Sequence, residues 1–497
     1  MDAPSLLPAL ALAPSAAAAI LIVALRRRPA ARDAVSVAAA LAQTAVVAAM
    51  APPALRGAPP VWAAIDLVPG VPLMLRADAL GVLFALVASA LWVLTTIYSI
   101  GYVRALREPS QTRYFAAFAL CLLATVGIAL SANLLTFFCF FEVLTVATYP
   151  LVVHAGTPEA TRAGRVYLAY TLGGGTALLA AVVWTHALAG TLDFVPGGIA
   201  ALAAAGPGTL WALLALFVIG CGVKAAIVPL HTWLPLAMIA PTPVSALLHA
   251  VAVVKAGVFG LARVVGHVFG PAPLHALGAD TALVWIAVAT IVGGSLAALP
   301  QDNLKRLLAF STVSQLSYVV LGLAVGAPQA FAGALLHLAS HALLKITLFF
   351  CAGAIHVAAH VDAISAMRGV GRRMPLTMGA FAVAAAMLAG LPPGAAFASK
   401  WQLLGGAASA GAWAGVAALL ASTVLTIAYF APIVVRAFAP DGGEDGDGGH
   451  GGEAPASLVV PLLLTAAAGV ALGLAPDGLA RIESLARAAA HAVGAGR

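Results

Sequence analysis

The sequence predicts an all-α polytopic membrane protein of about 14 transmembrane helices, built as two inverted five-helix repeats in which helices 7 and 12 are broken. Three observations carry that expectation. Of 497 residues, 62% are hydrophobic and 9% are charged, whereas a soluble domain needs roughly a quarter of its residues charged to keep its surface wet. Runs of about 20 mostly apolar residues recur along the chain, each long enough to cross a hydrocarbon core as a helix. Prolines interrupt two of these runs inside otherwise apolar sequence.

The fourteen runs centre near Ala16, Leu41, Leu86, Leu123, Leu144, Leu178, Phe217, Val254, Ala289, Leu316, Leu343, Met387, Leu420 and Leu464. The first is not a secretory signal. Such a signal carries its positive charges ahead of the apolar run, but here Asp2 precedes it and Arg26, Arg27, Arg28 and Arg32 follow. No cleavage is expected. Loops after odd-numbered spans hold fifteen of the 25 Lys and Arg residues, among them Arg104, Arg113, Arg162, Lys305, Arg368 and Arg436. The other side holds six: Arg56, Arg76, Arg263, Arg481, Arg487 and Arg497. Short cytoplasmic loops collect Lys and Arg, so both termini are expected outside, in a bacterial plasma membrane.

Residues 1–497 read as a single membrane domain, with repeats at 114–264 and 282–436. Residues 440–454 form an acidic, glycine-rich loop. Leu479 to Val493 has the pattern of a short amphipathic helix, and no soluble catalytic domain is expected. The net charge of +7 comes from arginines scattered over short loops, which excludes a nucleic-acid footprint. Cys121, Cys139, Cys221 and Cys351 fall in apolar stretches with no CxxC spacing and no Cys/His cluster. No metal site and no cofactor are expected.

The informative residues are charges where lipid-facing sequence forbids them. Lys224, Lys255, Lys345 and Lys400, four of the five lysines, lie in apolar spans, while none of the twenty arginines is near a span centre. A desolvated lysine can release its proton, whereas arginine keeps it. Each ammonium costs roughly 2.5 to 3.5 kcal/mol at a helix centre, so four of them imply function or partners. Among eighteen acids Glu142 alone sits mid-span, with Lys224 or Lys255 as the expected counter-charge. Span 11, LLHLASHALLKITLFF, places His337, His341 and Lys345 at steps of four on one helical face. That stripe has the pattern of a proton relay, whereas His356 and His360 near the span's end read as ordinary satisfied residues.

Between spans 7 and 8, Pro229, Pro235, Pro241 and Pro243 deny the helix its regular hydrogen bonds, and Lys224, His231, His249 and Lys255 flank that break. In span 12, Pro392 and Pro393 precede Lys400. Irregular backbone at membrane depth is tolerated where it is buried in protein or lines a wet cavity, so the two breaks suggest paired half-channels.

The segments KAAIVPLHTWLPLAMIAPTPVSALLHAVAVVKAGVFGLAR, QDNLKRLLAFSTVSQLSYVVLGL, HLASHALLKITLFFCAGAI and GLPPGAAFASKWQLL resemble the antiporter-like subunits shared by respiratory complex I, membrane-bound hydrogenases and Mrp-type multisubunit cation/proton antiporters. The resemblance covers residues 78–436 and implies fourteen helices with inverted five-helix repeats. It also implies that Glu142 and Lys224 form the working pair, that Lys255 and His249 link it to His337 and His341, and that Lys400 stands at the exit half-channel. Lys345 fits the same axis. Leu236 and Ile239 stand where the family often has acidic or amide side chains, so any role of those acids is missing here. SKWQLL and the C-terminal region resemble the D-type Mrp subunit, while span 8 is similar to the largest complex I subunit or the A-type Mrp subunit. Protons, with Na+ or K+, are the implied cargo, and other membrane subunits the implied partners. Two rival readings remain: a redox protein that itself binds quinone or a metal, and a scaffold whose lysines are all tightly ion-paired.

Overall fold

The computed structural model describes residues 3–440, 452–478 and 480–494, so Leu479 and most of the acidic stretch 440–454 lie outside the described residues. Thirteen helices among the described residues are long and apolar enough to cross a membrane. They are α1 (Leu7–Ala24), α2 (Pro29–Leu55), α3 (Ala79–Ala105), α4 (Gln111–Leu130), α5 (Leu134–Val152), α6 (Pro158–Ala189), α7 (Pro207–Ala225), α8 (Thr242–Phe269), α9 (Ala279–Ala298), α10 (Leu304–Val325), α11 (Pro328–Ala359), α13 (Trp413–Phe438) and α14 (Ala456–Leu474). The run centred on Met387 is split into α12a (Pro375–Ala389) and α12b (Ala395–Ser409). That split accounts for the difference between the fourteen runs and the thirteen long helices. A last helix, α15 (Ile482–Ala492), buries its apolar face on α3 and α11.

Local chemistry sets the helix ends. Asp78, Asn133, Thr157 and Asn303 each accept a backbone N–H of the first turn they precede, at 2.8, 2.8, 3.2 and 3.1 Å, satisfying donors that a helix start leaves orphaned. Proline opens α2, α6, α7, α11 and α12a, where its missing N–H is no loss. The backbone turns left-handed at Gly390, φ +105°, and Pro392 and Pro393 follow, so α12a cannot run on into α12b.

The bundle has two distinct ends. At the basic end Arg113 donates to the carbonyl of His154, Lys305 to that of Ala240, and Arg436 to that of Ile364. The opposite end carries a three-stranded sheet of β1 (Ala3–Pro4), β2 (Pro60–Val68) and β3 (Val71–Arg76). There β1 runs parallel to β2, and β2 and β3 pair as an antiparallel hairpin in the register Val61 with Arg76.

Helices α4 and α9 are both 20 residues long, and α6 and α11 are both 32 residues and begin with proline. Asn133 and Asn303, the caps of α5 and α10, each form an isolated bridge with the loop after the long helix, at Asp193 and Ala363. Asn133 lies at the hairpin end and Asn303 at the basic end.

Helix α8 is buried along its whole length, so every polar side chain on it faces protein. It reaches α7 without an intervening side chain: a Cβ on Gly257 would lie 2.0 Å from the backbone nitrogen of Ala225. Gly257→Val is therefore expected to destabilise the protein by about 3 kcal/mol or more, at the upper end of overpacking costs. Thermal unfolding in detergent would measure this, and an unchanged Tm would contradict the close approach.

Candidate functional site

The titratable residues singled out in the sequence fall into two groups, joined by the α7–α8 contact. In the first, Lys224 is fully buried near the end of α7. Its ammonium donates to the carbonyl of Phe141 and lies 3.5 Å from the centre of that residue's ring. Glu142, next along α5, is half-buried and within electrostatic range of Lys224, without a direct ion pair between them among the described residues. Gly175 on α6 makes room for the carboxylate, since a Cβ there would lie 2.5 Å from Oε1. A largely apolar cavity of about 950 Å³ opens beside Glu142 and is also lined by Arg26 and Arg113.

Helix α7 ends at Ala226, whose φ of +58° is left-handed. The break containing Pro229 and His231 follows. Its freed backbone groups find partners: Trp233 Nε1 donates to the carbonyl of Val223 at 2.8 Å, and Thr290 Oγ1 accepts from Val228 N at 3.1 Å. His231 stays half-buried in this turn. Pro241 precedes the first turn of α8 and Pro243 lies within it. The helix then widens into a π turn, Leu247–Val251, that holds fully buried His249 against the ring of Phe349. A backbone kink at Ala252, φ −108° and ψ −82°, separates His249 from Lys255.

The second group forms a succession of neighbouring side chains along α8, α11 and α12b. Lys255 Nζ donates to the carbonyl of Leu338 at 2.7 Å and meets His341 Nδ1 at 3.0 Å. The rings of His341 and His337 are 6.2 Å apart, and His337 Nδ1 lies 2.9 Å from Ser399 Oγ on α12b. The ring of Tyr318 stacks on His337 at 5.1 Å, and Lys400 Nζ lies 5.1 Å from the centre of the same ring. Lys400 turns back to donate to the carbonyls of Leu388 and Ala389 at 2.9 and 3.1 Å. Those carbonyls end α12a, where a positive charge is favoured. Lys345, one turn beyond His341, donates to the carbonyl of Leu308 at 3.1 Å.

Lys224, Lys255, Lys345, His249, His337 and His341 are 0 to 1% exposed and Lys400 is 6% exposed. All four lysines bind backbone carbonyls, and none is in an ion pair among the described residues. A static scaffold of paired lysines predicts the opposite. Both nitrogens of His249, the Nε2 atoms of His337 and His341, and Glu142 Oε1 have no protein partner. They are open positions from which a bridging water can be held. His356, by contrast, reaches Asp362 at 3.0 Å near the basic end.

Two kinds of residue escaped the sequence reading. Tyr318 and Ser399 complete this cluster of contacts. Tyr318 ends a polar stripe, Ser311, Ser314, Gln315 and Tyr318, at helical spacing in α10, which is the signal that would have found it. Arg263, assigned from sequence to an exposed loop, is instead 1% exposed inside α8 and held by Asp78.

A family model described as "NADH:quinone oxidoreductase/Mrp antiporter, TM" matches residues 131–426. The N subunit of NADH-quinone oxidoreductase from Desulforudis audaxviator is 34% identical over 434 residues, 84% of this chain and 83% of that protein. The A/B subunit of a probable K(+)/H(+) antiporter from Rhizobium meliloti is 33% identical over 68% of this chain, which spans only 33% of that longer protein. Among solved structures, a chain of the membrane-bound sulfane sulfur reductase, an archaeal respiratory membrane complex, superposes with a TM-score of 0.86 at 26% identity, covering 98% of both chains. A chain of the Mrp complex from Dietzia sp. superposes with a TM-score of 0.85 at 23% identity, over 98% of this chain and 97% of that one, a likeness of fold. The protein is an integral membrane member of the NADH:quinone oxidoreductase/Mrp antiporter family.

Proposed function

We propose that this chain is a proton-translocating, antiporter-like membrane subunit working in cation/proton antiport of the Mrp D type. The observation that carries the reading is the succession Lys255–His341–His337–Ser399, hydrogen-bond contacts at either end and one step of 6.2 Å between the two rings, with Lys400 and Tyr318 beside it. These groups exchange protons, and they lie buried in the bundle without carboxylates paired to them among the described residues. Protons enter from the basic end at the break holding Pro229, His231, Pro241 and Pro243, and pass Lys224 and the Lys255 relay. They leave beside Lys400, where Pro392 and Pro393 open the second half-channel. A charge on Lys224 is drawn to Glu142 and repels charge on neighbouring lysines, which couples the protonation of one site to that of the next. Lys345 and His249 belong to the same axis.

The matched lengths and caps of α4–α8 and α9–α13 support inverted repeats at residues 114–264 and 282–436. Loop charge supports both termini outside in a bacterial plasma membrane. The antiporter relative, named for K(+)/H(+), supports K+ as the exchanged cation, with Na+ the alternative implied by the family resemblance, and other membrane subunits as partners. The identity to the N subunit favours a second reading, a proton-pumping membrane subunit of an NADH:quinone oxidoreductase or membrane-bound hydrogenase, with redox chemistry on other subunits.

Everted vesicles carrying the chain with its co-assembling subunits separate these readings. Proton release from the lumen on adding Na+ or K+ supports antiport; pumping that starts only with NADH or hydrogen supports the second. Neither response overturns both. In whichever assay responds, His341→Gln is expected to slow transport about a hundredfold, in the range for positioned proton carriers, with assembly checked on native gels.

A further inference from the structure

At the hairpin end, a buried charged cluster lies outside the proton axis. Arg263 Nη1 and Nη2 hold Asp78 Oδ2 and Oδ1 at 2.5 and 2.9 Å, and Nη1 also lies 3.3 Å from His267 Nε2. The guanidinium carbon is 5.1 Å from the ring centre of Phe194 and 5.2 Å from that of Phe259, and Phe84 tilts against Phe259 at 4.9 Å. On the outer side a cavity of about 590 Å³ reaches Asp78 and His267 and is also lined by Arg76 and His491. On the inner side Lys255 sits two steps of four before Arg263 on the same helical face, about 12 Å away along the axis. A cavity therefore opens on the side of α8 that leads to the first residue of the relay, from the end opposite the proton intake, with the pinned guanidinium and the rings of Phe194, Phe259 and Phe84 packed beside it.

We propose that the Asp78–Arg263 pair, backed by Phe84 and Phe259, is an ion-paired, non-relaying seal that keeps protons and monovalent cations in the hairpin-end cavity from reaching Lys255. The inference rests on the transport reading, since a seal has meaning only beside a conducting axis. Three properties suit the cluster to that task. A guanidinium does not give up its proton, so it cannot serve as a relay station. Paired with Asp78 it offers no free lone pair or loose proton to a water chain, and the apolar rings behind it resist wetting. The bidentate grip of Asp78 fixes where that charge sits.

Burial pushes the Asp78 carboxyl up, but the Arg263 guanidinium outweighs it and holds the group below the usual carboxylate range. The pair thus keeps its charges at any pH above that range and comes apart only as pH falls through the depressed value. The seal is expected to be equally tight across neutral and mildly alkaline pH.

The test is passive leak in vesicles of the assembled complex without NADH, hydrogen or added exchange cation. A pH gradient is imposed and its decay followed with a pH-sensitive dye. The double variant Asp78→Asn with Arg263→Gln, which removes both charges and leaves the net charge unchanged, is expected to collapse the gradient about tenfold faster or more, because neutral amides can hold bridging water where the ion pair shuts it out. Phe259→Ala, which leaves the ion pair in place, is expected to shift decay the same way by less. An assembled double variant that holds the gradient as long as the parent overturns the proposal. If the double variant does not assemble, Phe259→Ala decides, and parental decay there overturns the proposal as well. Lys224→Ala in the same vesicles keeps the two ideas apart. Driven transport that survives it defeats the transport reading. Silenced transport together with tight seal variants defeats only the seal.

Discussion

Alanine in place of Lys224 is expected to reduce driven proton movement about a hundredfold or more, while the complex still assembles. The ammonium is fully buried, bound to the Phe141 carbonyl and set on that residue's ring. Glu142 is the mid-span carboxylate within its electrostatic reach. Removing the lysine leaves Glu142 without the buried cation on its bundle side, with only the arginines Arg26 and Arg113 on its side cavity. Glu142→Gln keeps the shape of the side chain and removes the charge, so it should produce the same loss. Little stability should be lost in either case, because a buried ammonium without a close carboxylate is costly to keep. Dye-monitored flux in everted vesicles, with assembly on native gels, tests both; full transport by both variants would refute the scheme.

The second large effect is at Lys255. Lys255→Met is expected to lower transport by about two orders of magnitude because His341 Nδ1 and the Leu338 carbonyl lose the group that joins α8 to α11. Methionine fills similar apolar volume, and the buried charge disappears, so the Tm should stay level or rise. Lys255→Arg is the diagnostic comparison. Arginine restores the charge but holds its proton, so it should not rescue flux. Transport restored by arginine would mean that charge alone matters at this position and that no proton passes through it.

Much of this architecture was legible because its signals are local. His337, His341 and Lys345 announce a shared face by their spacing, and the structure buries all three on one side of α11. Pro392 and Pro393 mark the division of α12a from α12b, and the count of apolar runs follows from hydropathy alone. What was missed depends on residues far apart in the chain. Arg263 looked like a loop arginine because it stands near the end of an apolar run. Its partner Asp78 is 185 positions away, and local pattern carries no such information. The π turn around His249 contains no proline or glycine, so nothing in its sequence signalled the irregularity. Tyr318 was passed over because a lone tyrosine in an apolar span commonly packs as an ordinary ring. Its place between His337 and Lys400 exists only once α10, α11 and α12b have come together.

The length of α11 bears on which membranes suit this protein. At 32 residues it extends about 48 Å, against a hydrocarbon core of about 30 Å. It must lean or protrude, and since most of it is buried, packing on α10, α12b and α14 fixes its angle. A bilayer too thin or too thick for that fixed tilt has to deform around the bundle, so acyl-chain length should shift the protein's stability while the spacing of His337 and His341 to Ser399 and Lys255 stays as packed.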